Sequence, residues 1–539
     1  MFGLQWSNRA TKNSAHPMAD VAEAAQLIHE LPRASPAKAV AEASAWLESI
    51  ESEGFDPNHR LHIVTMLDEA AHSSVEELTR GYVGAAPGNP GHAGDWRVLM
   101  DYFDRLSAAY GCIIDAASLP RHADLAPCIP LAIVRNMRAT TRSMKASWMR
   151  YLPPDRASWE TLVRCYRTAR ARLCTESMVM AYASDAGETC ALHELTVGVM
   201  LAAAAPQSLT PRQVEVAYRI AAAHRAAFTV NVGRQEQWRH YLFDLDNPGP
   251  PARMPEQLAA SEGLLFFSAE GVLPDLGAVA DRSRGRGLAM MSDAQYGAEF
   301  GAGEKLVAIE QVLRFWGENP PARRDERVRI DMKIHVEVGA HAIRAALERA
   351  APPRHAPGSL TMLEARQDGP PEVDGTNNVA TVITWILTDY STRGIGVRFA
   401  RRPDRALKVG SVIAYRLERS DKWCVATVRR LRTDSRNQTD AGCEILAKSA
   451  TLVTLEGFAA AGTLLDLAGS GPVVRTSALM LPEDPQLDAR ASLLFEPGTN
   501  APGQCFVMRD SDSVRRIRLR HVAEVMENWD RVEFDVVDG

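Results

Sequence analysis

Two kinds of hydrophobic spacing divide the chain. From Val21 onward apolar residues recur three or four positions apart: Val21, Ala24, Ile28 and Leu31, then Val40, Ala43, Leu47 and Ile50, then Leu61, Val64 and Leu67. That spacing lines one face of a helix. Trp96, Leu99, Phe103, Leu106 and Tyr110 continue it, as do Leu162, Cys165, Tyr166 and Ala169, and Val214, Ala217, Ile220, Ala221 and Ala227. Ser35 before Pro36, Asn58 and Ser158 read as N-caps, because a short polar side chain can accept from the free N–H groups of a first turn. Thr210-Pro211-Arg212-Gln213 has the form of a capping box. Gly and Pro break the pattern over 84–94, and Pro127 and Pro130 interrupt it again. The prediction is a loose tail over 1–17 and a helical domain of antiparallel helices over 18–245. No internal repeat is visible, and the helical region resembles no recognised family.

After Asp246-Asn247-Pro248-Gly249-Pro250-Pro251 the pattern predicts a linker and lead-in helix over 246–320. The helix itself falls at Glu304–Trp316, with Leu306, Ile309, Leu313 and Trp316 on one face, and Leu264–Phe267 reads as a strand. From Val328 to Val338 the period becomes two, as in a half-buried strand. Further strands are predicted at Val379–Leu387, Val397–Phe399, Ser411–Leu417, Trp423–Leu431 and Ala441–Leu446. Short strands parted by turn signals describe a small antiparallel barrel, here over 321–450 with an insertion at 340–378. A β-rich C-terminal extension follows over 451–539. The fold class is multidomain α+β, with an all-α array first and β-structure after it.

The chain of 539 residues should hold several domains, since single cores rarely outgrow ~250–300 residues. Nothing in its net charge of −6 predicts nucleic-acid or anionic-membrane binding. Local charge changes that picture: Arg398, Arg401, Arg402, Arg405, Lys408, Arg416, Arg419, Lys422, Arg429, Arg430 and Arg432 crowd one stretch, enough for a small anionic ligand. The eight cysteines form no C-x-x-C pair, which fits a reducing compartment. No secretory signal opens the chain, and the apolar run Val197–Ala205 is too short to span a bilayer. The expected location is the cytoplasm, without a transmembrane segment.

The chemistry concentrates in two motifs. Arg323-Arg324-Asp325-Glu326-Arg327 stands just before the Val328 strand, and Asp389-Tyr390-Ser391-Thr392-Arg393-Gly394 makes a tight turn between two strands. An R-x-x-x-R loop followed by a D-x-S-x-x-G turn resembles the PilZ family. The strand from Trp423 to Arg432 and the Gly442-Cys443-Glu444-Ile445-Leu446 strand resemble the end of a PilZ barrel. The resemblance implies a cyclic di-GMP site with Arg323 and Arg327 from the first motif and Asp389, Ser391 and Gly394 from the second. Arg324 and Arg393 are neighbours placed to help. Arginine suits such a ligand because one guanidinium can pair with phosphate, stack on guanine or read its O6/N7 edge. Arg327 and Asp389 lie 62 positions apart, farther than the family usually shows, because of the insertion.

Other chemistries lack their parts. His193-Glu194 has no second histidine for H-E-x-x-H, Gly297–Lys305 lacks the G-K-[ST] of a phosphate loop, and Gly285-Arg286-Gly287 lacks the third glycine of a dinucleotide fingerprint. Arg516, Arg518 and Arg520 read as a charged outer strand face, since no aromatic residues interleave them. The resemblance therefore implies a bacterial second-messenger effector, not an enzyme, with cyclic di-GMP as ligand and no cofactor or metal. Nucleotide binding would be coupled to contacts between the helical domain and an unidentified protein partner. The alternative is a scaffold whose degenerate barrel binds no nucleotide.

Overall fold

The computed structural model describes residues 15–32, 34–85, 90–232, 241–254, 263–285, 296–321, 325–350, 383–400, 407–418, 420–458, 473–497, 503–510, 513–526 and 528–537. They form two compact units, one over residues up to 322 and the other over most of 323–539. Most of the expected tail, residues 1–14, lies outside the described residues.

The first unit begins with helices α1 (Val21–His29), α2 (Pro36–Ser52), α3 (Pro57–Gly84), α4 (Pro90–Ala116), α5 (Ile129–Met149), α6 (Arg156–Ala171), α7 (Ala191–Ala203) and α8 (Pro211–Ala223). The capping box of α8 forms as expected: Gln213 N–H donates to Thr210 Oγ1, and Thr210 N–H to Gln213 Oε1. Two other caps differ. Asp56 rather than Asn58 caps α3, and Asp155 rather than Ser158 caps α6, accepting from Asn58 N and Ser158 N. An ionised carboxylate is the stronger acceptor at a positive helix end. Ser35 makes no side-chain cap bond, and Pro36 alone marks the start of α2.

Helix α5 runs through the core. Its Arg135, Arg138 and Lys145 are buried, which an ion tolerates only when paired. Arg135 meets Glu69 at 2.7 Å and Asp68 at 3.4 Å, Arg138 meets Glu194 at 2.7 Å, and Lys145 meets Glu215 at 2.6 Å. Asp68 also accepts from the hydroxyls of Tyr102, Tyr110 and Tyr182.

The expected linker over 246–320 is instead part of this unit's body. Strands β1 (Thr229–Val232), β2 (Tyr241–Asp244), β3 (Ala252–Arg253) and β4 (Leu264–Ser268) form a sheet in the order β1-β4-β2-β3. Helices α9 (Leu273–Gly285) and α10 (Ala302–Trp316) follow. Phe243, Leu265, Phe267, Leu276, Ile309 and Trp316 join one apolar core with the earlier helices. The turn residues at 246–251 end a strand rather than a domain.

The second unit holds two closed barrels. Strands β5 (Val328–Val338), β6 (Ile383–Tyr390), β7 (Gly394–Ala400), β8 (Val412–Leu417), β9 (Cys424–Thr433) and β10 (Gln438–Ala447) close in the order β10-β7-β6-β5-β8-β9. Helix α11 (Ala340–Ala350) begins the insertion; residues 351–382 lie outside the described residues. The C-terminal extension is a second barrel of β11 (Thr451–Phe458), β12 (Val473–Leu481), β13 (Ser492–Phe495), β14 (Cys505–Arg509), β15 (Val514–Val525) and β16 (Asp530–Val536).

The two barrels share a core. Ile343 and Ala346 of α11 pack with Val412, Val425, Leu446, Leu479, Leu494 and Trp529. Trp529 Nε1 donates to Gly410 O at 2.8 Å, and Arg429 pairs with Glu524 of the other barrel at 2.5 Å. Helix α11 leaves from the Val338 end of β5, whereas Arg327 precedes its other end. At ~3.4 Å per residue the strand separates the two by roughly 35 Å.

Candidate functional site

The site grows from irregularity in three strands. Between β5 and β6 the pairing passes from Arg329 opposite Asp389 to Met332 opposite Leu387, so Ile330 and Asp331 bulge out. Between β6 and β7 it passes from Leu387 opposite Val397 to Asp389 opposite Gly396, leaving Thr388 as the extra residue. Bulges turn side chains out of the pleat and are common beside binding sites. They also explain why the first half of β5 is exposed, where regular alternation predicts half-burial.

Beyond the bulges the chain turns through Ser391, Thr392 and Arg393. Ser391 N–H donates to Gly394 O at 2.8 Å and Ser391 Oγ to the same oxygen at 3.3 Å. Ile445 N–H of β10 donates to Arg393 O at 2.9 Å, which ties the turn to the barrel wall. Gly394 has no positive φ; a Cβ there would meet Cys443 O at 3.0 Å. Its part is close approach of two strands rather than an unusual backbone conformation.

Arg327 and Asp389 form an ion pair, Nη1 to Oδ1, with both side chains about a quarter exposed. The guanidinium also lies near the Gly394–Ser391 turn: the missing Gly394 Cβ would be 3.8 Å from Arg327 Nη2 and 3.8 Å from Ser391 Oγ. Burial pushes the nearby Cys443 thiol up to about 12, against the opposing charge of Arg327.

An open concavity of about 780 Å³ lies beside this pair. Arg327, Arg329, Asp389, Gly396, Arg398 and Asp440 line it, together with Arg430. Ligand sites typically span ~300–1,000 Å³. Arg398 pairs with Asp440 across the strands at 2.7 Å. The fold thus brings Arg327, Asp389, Ser391 and Gly394 together. Arg393 belongs to the turn and does not line the concavity, and Arg323 and Arg324 lie outside the described residues. Arg329, Arg398, Arg430 and Gly396 are additions. Gly394, Gly396 and Arg398 fall at period two along β7, the signal that would have picked out that strand face. Among the described residues no His, Cys, Asp and Glu group is arranged to hold a metal ion.

A closed six-stranded barrel that opposes an arginine at its entry to the aspartate of a D-x-S-x-x-G turn defines a PilZ-type domain. Comparison with family models agrees. Residues 354–451 match the middle PilZ domain of the cyclic-di-GMP receptor FimW, and residues 22–235 match the N-terminal domain of the same receptor. The helical region, unrecognised from its residues alone, thereby gains a relationship. Together the two matches indicate a cyclic-di-GMP receptor with a PilZ domain. The PilZ match begins after Arg327 and β5, although β5 is needed to close the barrel. No curated protein matches the chain. No helix among the described residues is long and apolar enough to cross a membrane.

Proposed function

We propose that cyclic di-GMP binds in the concavity between the Arg327 entry and the Asp389 turn, and that the chain acts as a non-catalytic effector in the cytoplasm. The observation that carries this reading is the Arg327–Asp389 pair beside an arginine-lined concavity at two coincident bulges. Arg327, with Arg323 and Arg324 ahead of it, supplies charge for the phosphates and planar surfaces for the guanines. Asp389 accepts from guanine N–H donors once ligand draws Arg327 away. Ser391 and Gly394 keep the turn closed against β10, and Arg393 adds positive charge to that turn.

In this reading, nucleotide binding changes how the helical domain contacts a protein partner. Hydrogen exchange of the full chain with and without saturating cyclic di-GMP tests that coupling. The expected result is altered protection in residues 325–330 and 386–396 and also in segments of 22–235. Change confined to the barrel would overturn the coupling while leaving the receptor. The alternative, a scaffold that binds no nucleotide, predicts no change in either region.

A further inference from the structure

The C-terminal barrel repeats the first. With the strands of each barrel counted one to six along the chain, the first closes in the order six-three-two-one-four-five. In the second, β16 pairs with β13, β13 with β12, β12 with β11, β11 with β14, β14 with β15, and β15 with β16. Counted the same way, that is again six-three-two-one-four-five. Two six-stranded barrels joined in sequence thus share one circular order, hairpins included.

The shared order makes positions comparable. In the first barrel the cation entering strand one, Arg327, pairs with the aspartate leaving strand two, Asp389. In the second, Lys448 enters β11 and Asp484 follows β12, and their side chains meet at 3.3 Å. Here the surroundings differ. Lys448 Nζ also donates to Gln486 Oε1 at 2.5 Å, and Asp484 Oδ1 accepts from Gln486 N–H at 2.9 Å. The Asp484 backbone pairs in both directions with Ala489, folding the turn onto itself.

Two components of a nucleotide clasp are missing from this barrel's sequence. Only Lys448, Ser449 and Ala450 separate β10 from β11, so no arginine loop fits ahead of strand one. The turn Pro482-Glu483-Asp484-Pro485-Gln486-Leu487-Asp488-Ala489 has no Ser-x-x-Gly. A lone lysine is a compact charge that neither stacks on guanine nor reads its edge in bidentate fashion.

We propose that the C-terminal barrel is a second PilZ-type barrel whose clasp position is filled by the chain's own Lys448–Asp484–Gln486 contacts. It takes no cyclic dinucleotide, and the chain carries one nucleotide-binding barrel. This rests on the receptor reading of the first barrel. The test is hydrogen exchange of the full chain with and without cyclic di-GMP, for wild type, Arg327→Ala and a Lys448→Ala/Asp484→Ala double variant. Ligand should protect 325–330 and 386–396 and leave 446–453 and 482–490 unchanged. The double variant should bind within about twofold of wild type, and Arg327→Ala should lose at least tenfold with no second saturable phase. Protection at 482–490, or residual binding by Arg327→Ala that the Lys448 and Asp484 changes then remove, would overturn the proposal. Absence of protection in both barrels would instead refute the receptor reading and leave the second clasp closed as described.

Discussion

Gly396→Ala perturbs the site without altering a charge. Gly396 lies buried on β7 opposite Asp389, and a Cβ there would come within 2.7 Å of Asp389 Cγ and 2.8 Å of Oδ1. No main-chain atom stands among these nearest contacts, so the relief available is rotation of the Asp389 carboxylate away from Arg327. If Asp389 supports one charge-assisted bond to the ligand, its loss costs ~1.5–3 kcal/mol. That is about a 10- to 100-fold loss of affinity for cyclic di-GMP, at ~1.4 kcal/mol per tenfold. The fold should survive. Alanine is favoured over glycine in a strand by ~0.5–1 kcal/mol, which offsets part of the clash, so melting should shift by only a few degrees. Calorimetric titration of wild type, Gly396→Ala, Asp389→Ala and the double variant gives the full cycle. With Asp389 removed the clash disappears, so the second substitution should cost nothing further. Wild-type affinity in Gly396→Ala, or losses that simply add in the double variant, would refute the argument.

Three predictions concern the two units rather than the ligand. Trp529→Ala opens the core shared by the barrels and removes the bond to Gly410 O, and should cost ~3–5 kcal/mol in urea unfolding of the second unit. Asp68→Ala leaves Arg135 and three tyrosine hydroxyls short of an acceptor in the first unit, with an expected loss of ~3–5 kcal/mol by the same measurement. The first unit should also weaken on acidification. Burial and then the Arg142 charge lower the pKa of His72, whose ring stacks on Tyr182 at 3.8 Å between centroids, and burial lowers His62 and His224 in the same direction. Below the ordinary histidine value near 6.5 the unfolded chain takes up protons that the folded chain does not, so stability falls as pH drops. Melting followed from pH 7.5 to 5.5 should show that decline, with a shallower slope in His72→Phe; an unchanged slope would exclude His72 as a contributor.

The helices were legible because apolar spacing at three and four positions survives in their buried faces, as in Val40, Ala43, Leu47 and Ile50. Caps were less so, since Asp56 and Asn58, or Asp155 and Ser158, offer competing acceptors and only the folded turn selects one. Helix α5 hides its position altogether: nothing local marks Arg135, Arg138, Arg142 and Lys145 as paired, since their partners come from distant segments. In 246–320 the helix ending at Trp316 and the Leu264–Phe267 strand were legible, whereas the linker was misread because its turn chemistry imitates one and the other short strands carry little periodicity. In the barrel, Asp389, Ser391 and Gly394 stood out as turn chemistry, and Arg327 as a motif beside a strand. The bulges at Ile330–Asp331 and Thr388 did not, because they are set by the register of strand pairing, distant in sequence between β5 and β6 and local between β6 and β7, and not by any residue pattern. The second barrel was visible only as β-rich sequence; its closure and circular order depend on contacts that no local pattern encodes.

In the proposed function, Arg327 and the arginines ahead of it hold cyclic di-GMP against the Asp389 turn. Calorimetric titration of the nucleotide into the full chain, beside an Arg323→Ala/Arg327→Ala double variant, tests it most directly. The expected result is saturable binding by the wild type and its loss in a variant that keeps the wild-type melting transition of the second unit. No heat from the folded wild type, or equal binding by both proteins, would contradict it.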